Sequence, residues 1–223
     1  MALLSYNFAD ENKKKSVFCK LINEIMTENK YLYCYTMTHD TGFAPNPEHN
    51  VLTLATCKPA IRRCAQTGTW ISGWAGVKVY KSQDKKDFVT GNAQRLIYLA
   101  RITKKISFEE YWKNEEYQKK KPQDSICGDN IYEPDINEEE GFKIHTNKGG
   151  HYESNKKHDL SGVFVLICNE FYYFGVENAL PMDVGVPFVI PRCKKILLKD
   201  EKAQSIIYQV KINRNKCKYY RCL

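Results

Sequence analysis

Apolar and polar positions change period several times along the chain. Val17, Phe18, Leu21, Ile22, Ile25 and Met26 recur about four apart, with Lys and Glu on the opposite face. That spacing predicts an amphipathic helix over 10–29, capped by Asp10, whose apolar face packs on the domain or on a protein partner. Leu32–Thr38 is rich in aromatics and predicts a strand, followed by a polar loop over 40–50 punctuated by Gly42, Pro45 and Pro47. Val51–Thr56 is a short apolar segment. Pro59 suits the first turn of a helix over 60–66, closed by Gly68. Trp70–Trp74 and Leu96–Ile102 read as strands, with an exposed hairpin or loop over 76–93 between them. Ser107 and Glu110 have capping-box spacing and predict a helix carrying Tyr111, Trp112 and Tyr117. Residues 123–160 show little hydrophobic period and read as a long loop, either functional or disordered. Val163–Cys168 and Phe171–Phe174 are strands, and 196–198 and 206–210 a late strand or helix.

Strands here are not regularly followed by helices, which disfavours a doubly wound parallel sheet. The expected class is α+β: a small, mostly antiparallel β-barrel or sheet flanked by helices. The expected division is a helical extension over 1–30, a central domain over 31–195 and a basic segment over 196–223.

Composition narrows the picture. With 15 Tyr, 10 Phe and 3 Trp in 223 residues, disorder is not expected for most of the chain. A net charge of +8 favours a polyanionic partner, and nucleic acid or a nucleotide is the default expectation. A lysine-rich surface kept for solubility is the competing account. The nine cysteines form no Cys-x-x-Cys pair, no basic stretch precedes an apolar run near residue 1, and no apolar run reaches the ~18 residues of a membrane span. Reduced thiols in a cytoplasmic protein, with no membrane partner, are therefore expected.

Candidate chemistry concentrates between residues 40 and 63. Pro45 and Pro47 stiffen the loop that presents Asp40, Thr41 and Asn46. The Asn46 amide matches a base edge, and Asp40 could accept from an exocyclic amine or act as a base. Asx-turns that use both side chains locally are the alternative. Lys58 and Arg62 are four apart on the predicted helix and, with Arg63, suit a phosphate. Cys57, beside these cations, is a candidate nucleophile, and a packed, inert thiol is the more common role for such a residue. His151, His158 and Asp159 are candidate acid–base groups, with Asp129, Asn130 and Tyr132 upstream. The His151–His158 spacing fits no standard zinc pattern, so no metal is expected. No glycine-rich phosphate loop, Walker-type loop or nucleophile elbow is present, and no cofactor is expected.

Several separated motifs carry a family resemblance. They are Asp-Thr-Gly-Phe-Ala-Pro-Asn-Pro at 40–47, Leu-Thr-Leu-Ala-Thr-Cys-Lys-Pro at 52–59, Ile-Arg-Arg at 61–63, Gly-Thr-Trp-Ile-Ser-Gly at 68–73 and Arg-Leu-Ile-Tyr-Leu-Ala-Arg-Ile-Thr at 95–103. Phe-Glu-Glu-Tyr-Trp at 108–112, Asp-Asn-Ile-Tyr at 129–132 and Phe-Tyr-Tyr-Phe-Gly at 171–175 follow in order. Over about residues 31–195 the chain resembles the nucleotide modification associated domains of the second type. The resemblance implies a role in DNA modification or phage–host conflict, without a defined reaction. The order of elements is also similar to the PUA-like superfamily, including EVE domains, which implies a small barrel holding a nucleic acid or modified base. Thr69 stands where the family usually has Asp.

Two expectations follow. In the first, the protein binds a nucleotide or modified base: Asp40, Thr41 and Asn46 read the base, Trp70, Trp74 or Tyr98 stack on it, and Lys58, Arg62 and Arg63 meet phosphate, beside Asp129, Asn130 and Tyr132. In the second, it is an enzyme of nucleotide modification whose acid, base or nucleophile comes from Asp40, Cys57, His151, His158 and Asp159.

Overall fold

The computed structural model describes residues 30–82, 84–90, 94–125, 127–146, 151–183 and 193–223. The predicted helix over 10–29 lies outside them. The class is α+β and dominated by sheet, and the main sheet stays open instead of closing into a barrel.

The strands in chain order are β1 (Tyr31–His39), β2 (Leu52–Leu54), β3 (Trp70–Tyr80), β4 (Phe88–Thr90), β5 (Arg95–Arg101), β6 (Lys104–Ser107), β7 (Tyr132–Pro134), β8 (Phe142–Ile144), β9 (Phe164–Cys168), β10 (Glu170–Tyr173), β11 (Leu180–Pro181), β12 (Cys193–Leu197) and β13 (Tyr219–Arg221). The helices are α1 (Pro59–Cys64), α2 (Phe108–Lys113), α3 (Glu153–Leu160) and α4 (Glu201–Ile212). The main sheet runs β12-β1-β3-β5-β10-β13, with β4 on β3 and β11 on β5. Its β1–β3 pair is parallel, and the connection between them carries β2 and α1. A second sheet, β2-β9-β6, and the β7–β8 hairpin are antiparallel.

Alternation along β1 sorts its side chains by face. Leu32 and Cys34 join the core under α4, whose Ala203, Ile206 and Val210 lie one helical turn apart and are buried. Tyr33, Tyr35 and Met37 join the opposite core, which includes Leu52 and Leu54 of β2, Ile61 of α1 and Leu166 of β9. A third core gathers Phe43, Phe108, Tyr111, Tyr117 and Tyr132 beside the second sheet. Most apolar area is therefore buried between layers, and the long polar connections lie across them.

The segment read as a loop over 123–160 contains β7, β8 and α3. Helix α3 escapes a hydrophobicity-based reading because its buried residues are Lys156 and Asp159. The Lys156 ammonium is enclosed by Glu138 at 2.7 Å, Glu153 at 3.0 Å and Glu140 at 3.4 Å. Burial alone would lower its pKa, and these carboxylates instead hold it above the ordinary lysine value. The acidic run 138–140 is thus part of what anchors α3. The hairpin expected after Trp74 is formed by β3, which continues to Tyr80, and β4, which pairs with it antiparallel.

Candidate functional site

Two adjoining turns place the thiol. After β2 the backbone turns through Cys57 and Lys58 with φ of 56° and 42°, an unusual conformation for side-chain-bearing residues. The Arg62 guanidinium crosses beneath this turn. Its Nε donates to the Cys57 carbonyl at 2.8 Å, and its other nitrogens donate to the carbonyls of Phe164 at 2.9 Å and of Asp159. Arg62 is wholly buried. Gly162 makes room for it, since a Cβ there would fall 2.3 Å from the guanidinium carbon. Arg62 is consequently a clasp between the Cys57 turn and α3, with no face left for a phosphate. Arg63 instead reaches the Ser161 carbonyl at 2.5 Å on the surface.

That clasp aligns three side chains. The Cys57 sulfur lies 3.4 Å from His151 Nε2. His151 Nδ1 is hydrogen-bonded to Asp159 Oδ2, which also accepts from the Tyr132 hydroxyl at 2.8 Å. Asp159 Oδ1 accepts from the backbone N–H of Cys57 at 2.8 Å. The carboxylate therefore fixes both the imidazole and the turn carrying the thiol. Burial disfavours charge on His151, but the bonds to Asp159 and Cys57 outweigh it and raise its pKa to about 9. Burial would raise Asp159, but the hydrogen bond and charge of His151 hold it below the usual carboxylate value. At neutral pH the pair is imidazolium–carboxylate.

This pair makes stability depend on pH. The folded His151 pKa is raised above its unfolded value, so its contribution is complete below about pH 6.5 and is lost as pH rises through about 9. Asp159 is depressed, so its contribution is present above about pH 4 and is lost as pH falls through the folded pKa. Unfolding free energy is expected to decline between about pH 6.5 and 9 by at most about 3 kcal/mol. Urea titrations across that range check it: His151→Gln should flatten the slope, and an unchanged slope would place the dependence elsewhere.

The triad opens on a cleft of about 570 Å³ lined by Tyr35, Thr36, Met37, Thr38, His39, Thr41, Phe43, Ala44, Cys57, Lys58, Pro59, Lys85, His151, Asn155 and His158. None of these lining residues is acidic. Lys58 Nζ sits 4.5 Å from the Tyr35 ring centre, and the Phe43 and His151 rings are 5.0 Å apart. Burial lowers the Lys58 pKa below the ordinary lysine value, an effect offset by Cys57 and Cys193. His158 stands exposed at the rim.

The remaining candidates sit elsewhere. Asp40 lines a neighbouring hollow of about 270 Å³, where Tyr173 and the Val176 N–H, the latter at 2.6 Å, hold its carboxylate. Burial raises its pKa against those hydrogen bonds. Thr41 borders both hollows. Asn46, expected to read a base, is buried: its amide donates to the Cys127 carbonyl at 2.7 Å and its Oδ1 accepts from Lys120 at 2.6 Å. Asp129 is buried on Thr53 and Tyr111, and Asn130 on the Tyr111 carbonyl. Both are structural anchors. Trp70, Trp74 and Tyr98 are core residues and have no face for stacking on a ligand. Thr69 lies in a turn, its N–H on the Gln66 carbonyl, and does not line the cleft.

Sequence reasoning missed the buried Lys120, which also donates to the carbonyls of Asn46 at 3.0 Å and Val51 at 2.7 Å. Burial lowers its pKa to about 8, against the attraction of Asp129 and Glu48. No motif marks such a residue, because a surface lysine looks the same in sequence.

A thiol, an imidazole and a carboxylate whose ligand atoms lie within 4.8 Å could also hold a soft divalent metal. Both Asp159 oxygens already accept hydrogen bonds, so a metal would have to displace some of them.

Among known families, residues 29–215 match the one described as nucleotide modification associated domain 2. No curated protein and no solved structure matches the chain.

Proposed function

Because the chain belongs to the nucleotide modification associated domain 2 family, we propose that it is an enzyme of nucleotide modification that uses Cys57 as its nucleophile. The pairing of Cys57 and His151 on the cleft lining, with Asp159 buried behind His151, carries this reading. The thiol needs a partner to take its proton, and His151 lies in line with it. Asp159 orients the imidazole and stabilises its charged form. In the forward step the Cys57 sulfur attacks as a thiolate, its proton already held on His151 Nε2, and bonds to an electrophilic carbon of the substrate. His151 then returns that proton to the departing or newly anionic atom.

The substrate is anionic on the same grounds. Lys58, Lys85, His39 and His158 border the cleft, and a phosphate there would gain charge-assisted hydrogen bonds. These groups take the place of Arg62 as contacts to phosphate.

Binding without turnover is the competing reading. Incubation of the protein with mononucleotides and oligonucleotides, followed by intact-mass analysis, separates the two. The expected result is a substrate-dependent adduct on Cys57, or a changed nucleotide product, that is lost in Cys57→Ser. A ligand that binds Cys57→Ser and the parent equally and is never altered would favour the binding module. Stoichiometric zinc in the purified protein, lost in Cys57→Ser, would instead favour the metal.

A further inference from the structure

Strand β12 is the edge of the main sheet among the described residues, and it pairs antiparallel with β1. Cys193 lies opposite Tyr35, and Lys195 opposite Tyr33. Tyr35 is a wall of the cleft and carries Lys58 above its ring. Two-residue alternation then puts Tyr33 and Tyr31 on that same face, farther toward the start of β1. Lys195 Nζ lies 3.4 Å from the Tyr31 ring centre and 5.7 Å from that of Tyr33. Cys193 is within electrostatic reach of Lys58, which joins the two ends of the row.

Cations thus continue outward from the cleft instead of stopping at its rim. Tyr35 lies four residue steps along the strand from Tyr31, a run of roughly 13 Å at the usual rise. Beyond Lys195 the chain forms a second hollow of about 570 Å³ bordered by Lys194, Lys195, Lys199 and Lys202. All four are exposed. Among the described residues Asp200 is the only acidic one lining it, and its carboxylate already accepts from the Lys202 backbone N–H at 2.8 Å. Glu201 is its exposed neighbour in sequence.

A free mononucleotide would be satisfied within the cleft and would leave this row without a role. We infer that the row carries the flanking phosphates of a polynucleotide, so that the cleft acts on a nucleotide within a strand. The inference rests on the nucleotide reading of the cleft. Lysine on an edge strand also deters sheet-to-sheet pairing, and that account predicts no effect on ligand binding.

The test uses the full chain carrying Cys57→Ala, which stops turnover. Binding of labelled random-sequence single-stranded oligonucleotides is followed by anisotropy, and that of the four mononucleotides by calorimetry. Oligonucleotides are expected to bind at least about tenfold more tightly than any mononucleotide at low salt. Adding Lys195→Ser, Lys199→Ser and Lys202→Ser should remove that advantage. It should reduce the slope of log affinity against log salt by about 2 and leave mononucleotide affinity unchanged. Mononucleotide binding with no gain from a strand, or a triple variant that binds the strand as well as its parent, would overturn the inference alone. Failure of both ligand types to bind would overturn the nucleotide reading and this inference with it.

Discussion

Cys57 is expected to react with iodoacetamide at pH 7 about 10- to 30-fold more slowly once His151 is replaced by alanine. The limit comes from the chemistry of an unassisted thiol, of which only a few per cent is ionised at that pH. In the native protein His151 stands 3.4 Å from the sulfur, and its pKa is raised to about 9 by its bonds to Asp159 and Cys57 despite its burial. Asp159→Asn should slow alkylation as well, since it removes the charge that stabilises the imidazolium. Turnover should fall further, by about 10²–10⁴, because His151 also returns the proton. Peptide mapping supplies internal comparison, since Cys64 and Cys222 are exposed and stand outside the triad. A native Cys57 that alkylates no faster than Cys222 would remove the basis for the proposed nucleophile.

Arg62→Ala is expected to cost about 3–5 kcal/mol of folding stability. The substitution removes a fully buried guanidinium and leaves the carbonyls of Cys57, Asp159 and Phe164 without their donor. Arg62→Lys restores the charge but offers a single nitrogen to three carbonyls, so it should recover only part of the loss. Gly162→Ala attacks the same contact from the other side and should cost about 1–3 kcal/mol through overpacking. Urea unfolding measures all three. A loss below about 1 kcal/mol for Arg62→Ala would mean that water replaces the clasp, which its burial argues against.

The strands were readable because their apolar positions alternate or run continuously. Leu32–Thr38, Leu96–Ile102 and Val163–Cys168 lie on β1, β5 and β9, give or take a residue. Ser107 accepts from the Glu110 N–H, as its spacing implied. Helix α3 was not readable, because ion pairs and hydrogen bonds around Lys156 and Asp159 bury it, and neither leaves a periodic trace. Within the site, Cys57, His151 and Asp159 stood out one by one. Their assembly did not, because nothing local records a contact spanning 94 residues from thiol to imidazole. Arg62 was misread for a related reason. A cation four residues from Lys58 suits an anion, and only the fold shows that three carbonyls have already claimed it.

The same separation along the chain gives the thiol a history. During synthesis Cys57 emerges 94 residues ahead of its base. At translation speeds of about 5–20 residues per second, that is a delay of roughly 5–20 s. Throughout it Cys57 is an ordinary cysteine, chemically indistinguishable from its eight siblings. On the proposed mechanism Cys57 gains its base only when the second half of the chain arrives and His151 docks beside it. A product that ends before His151 would carry the nucleophile without the group that takes its proton.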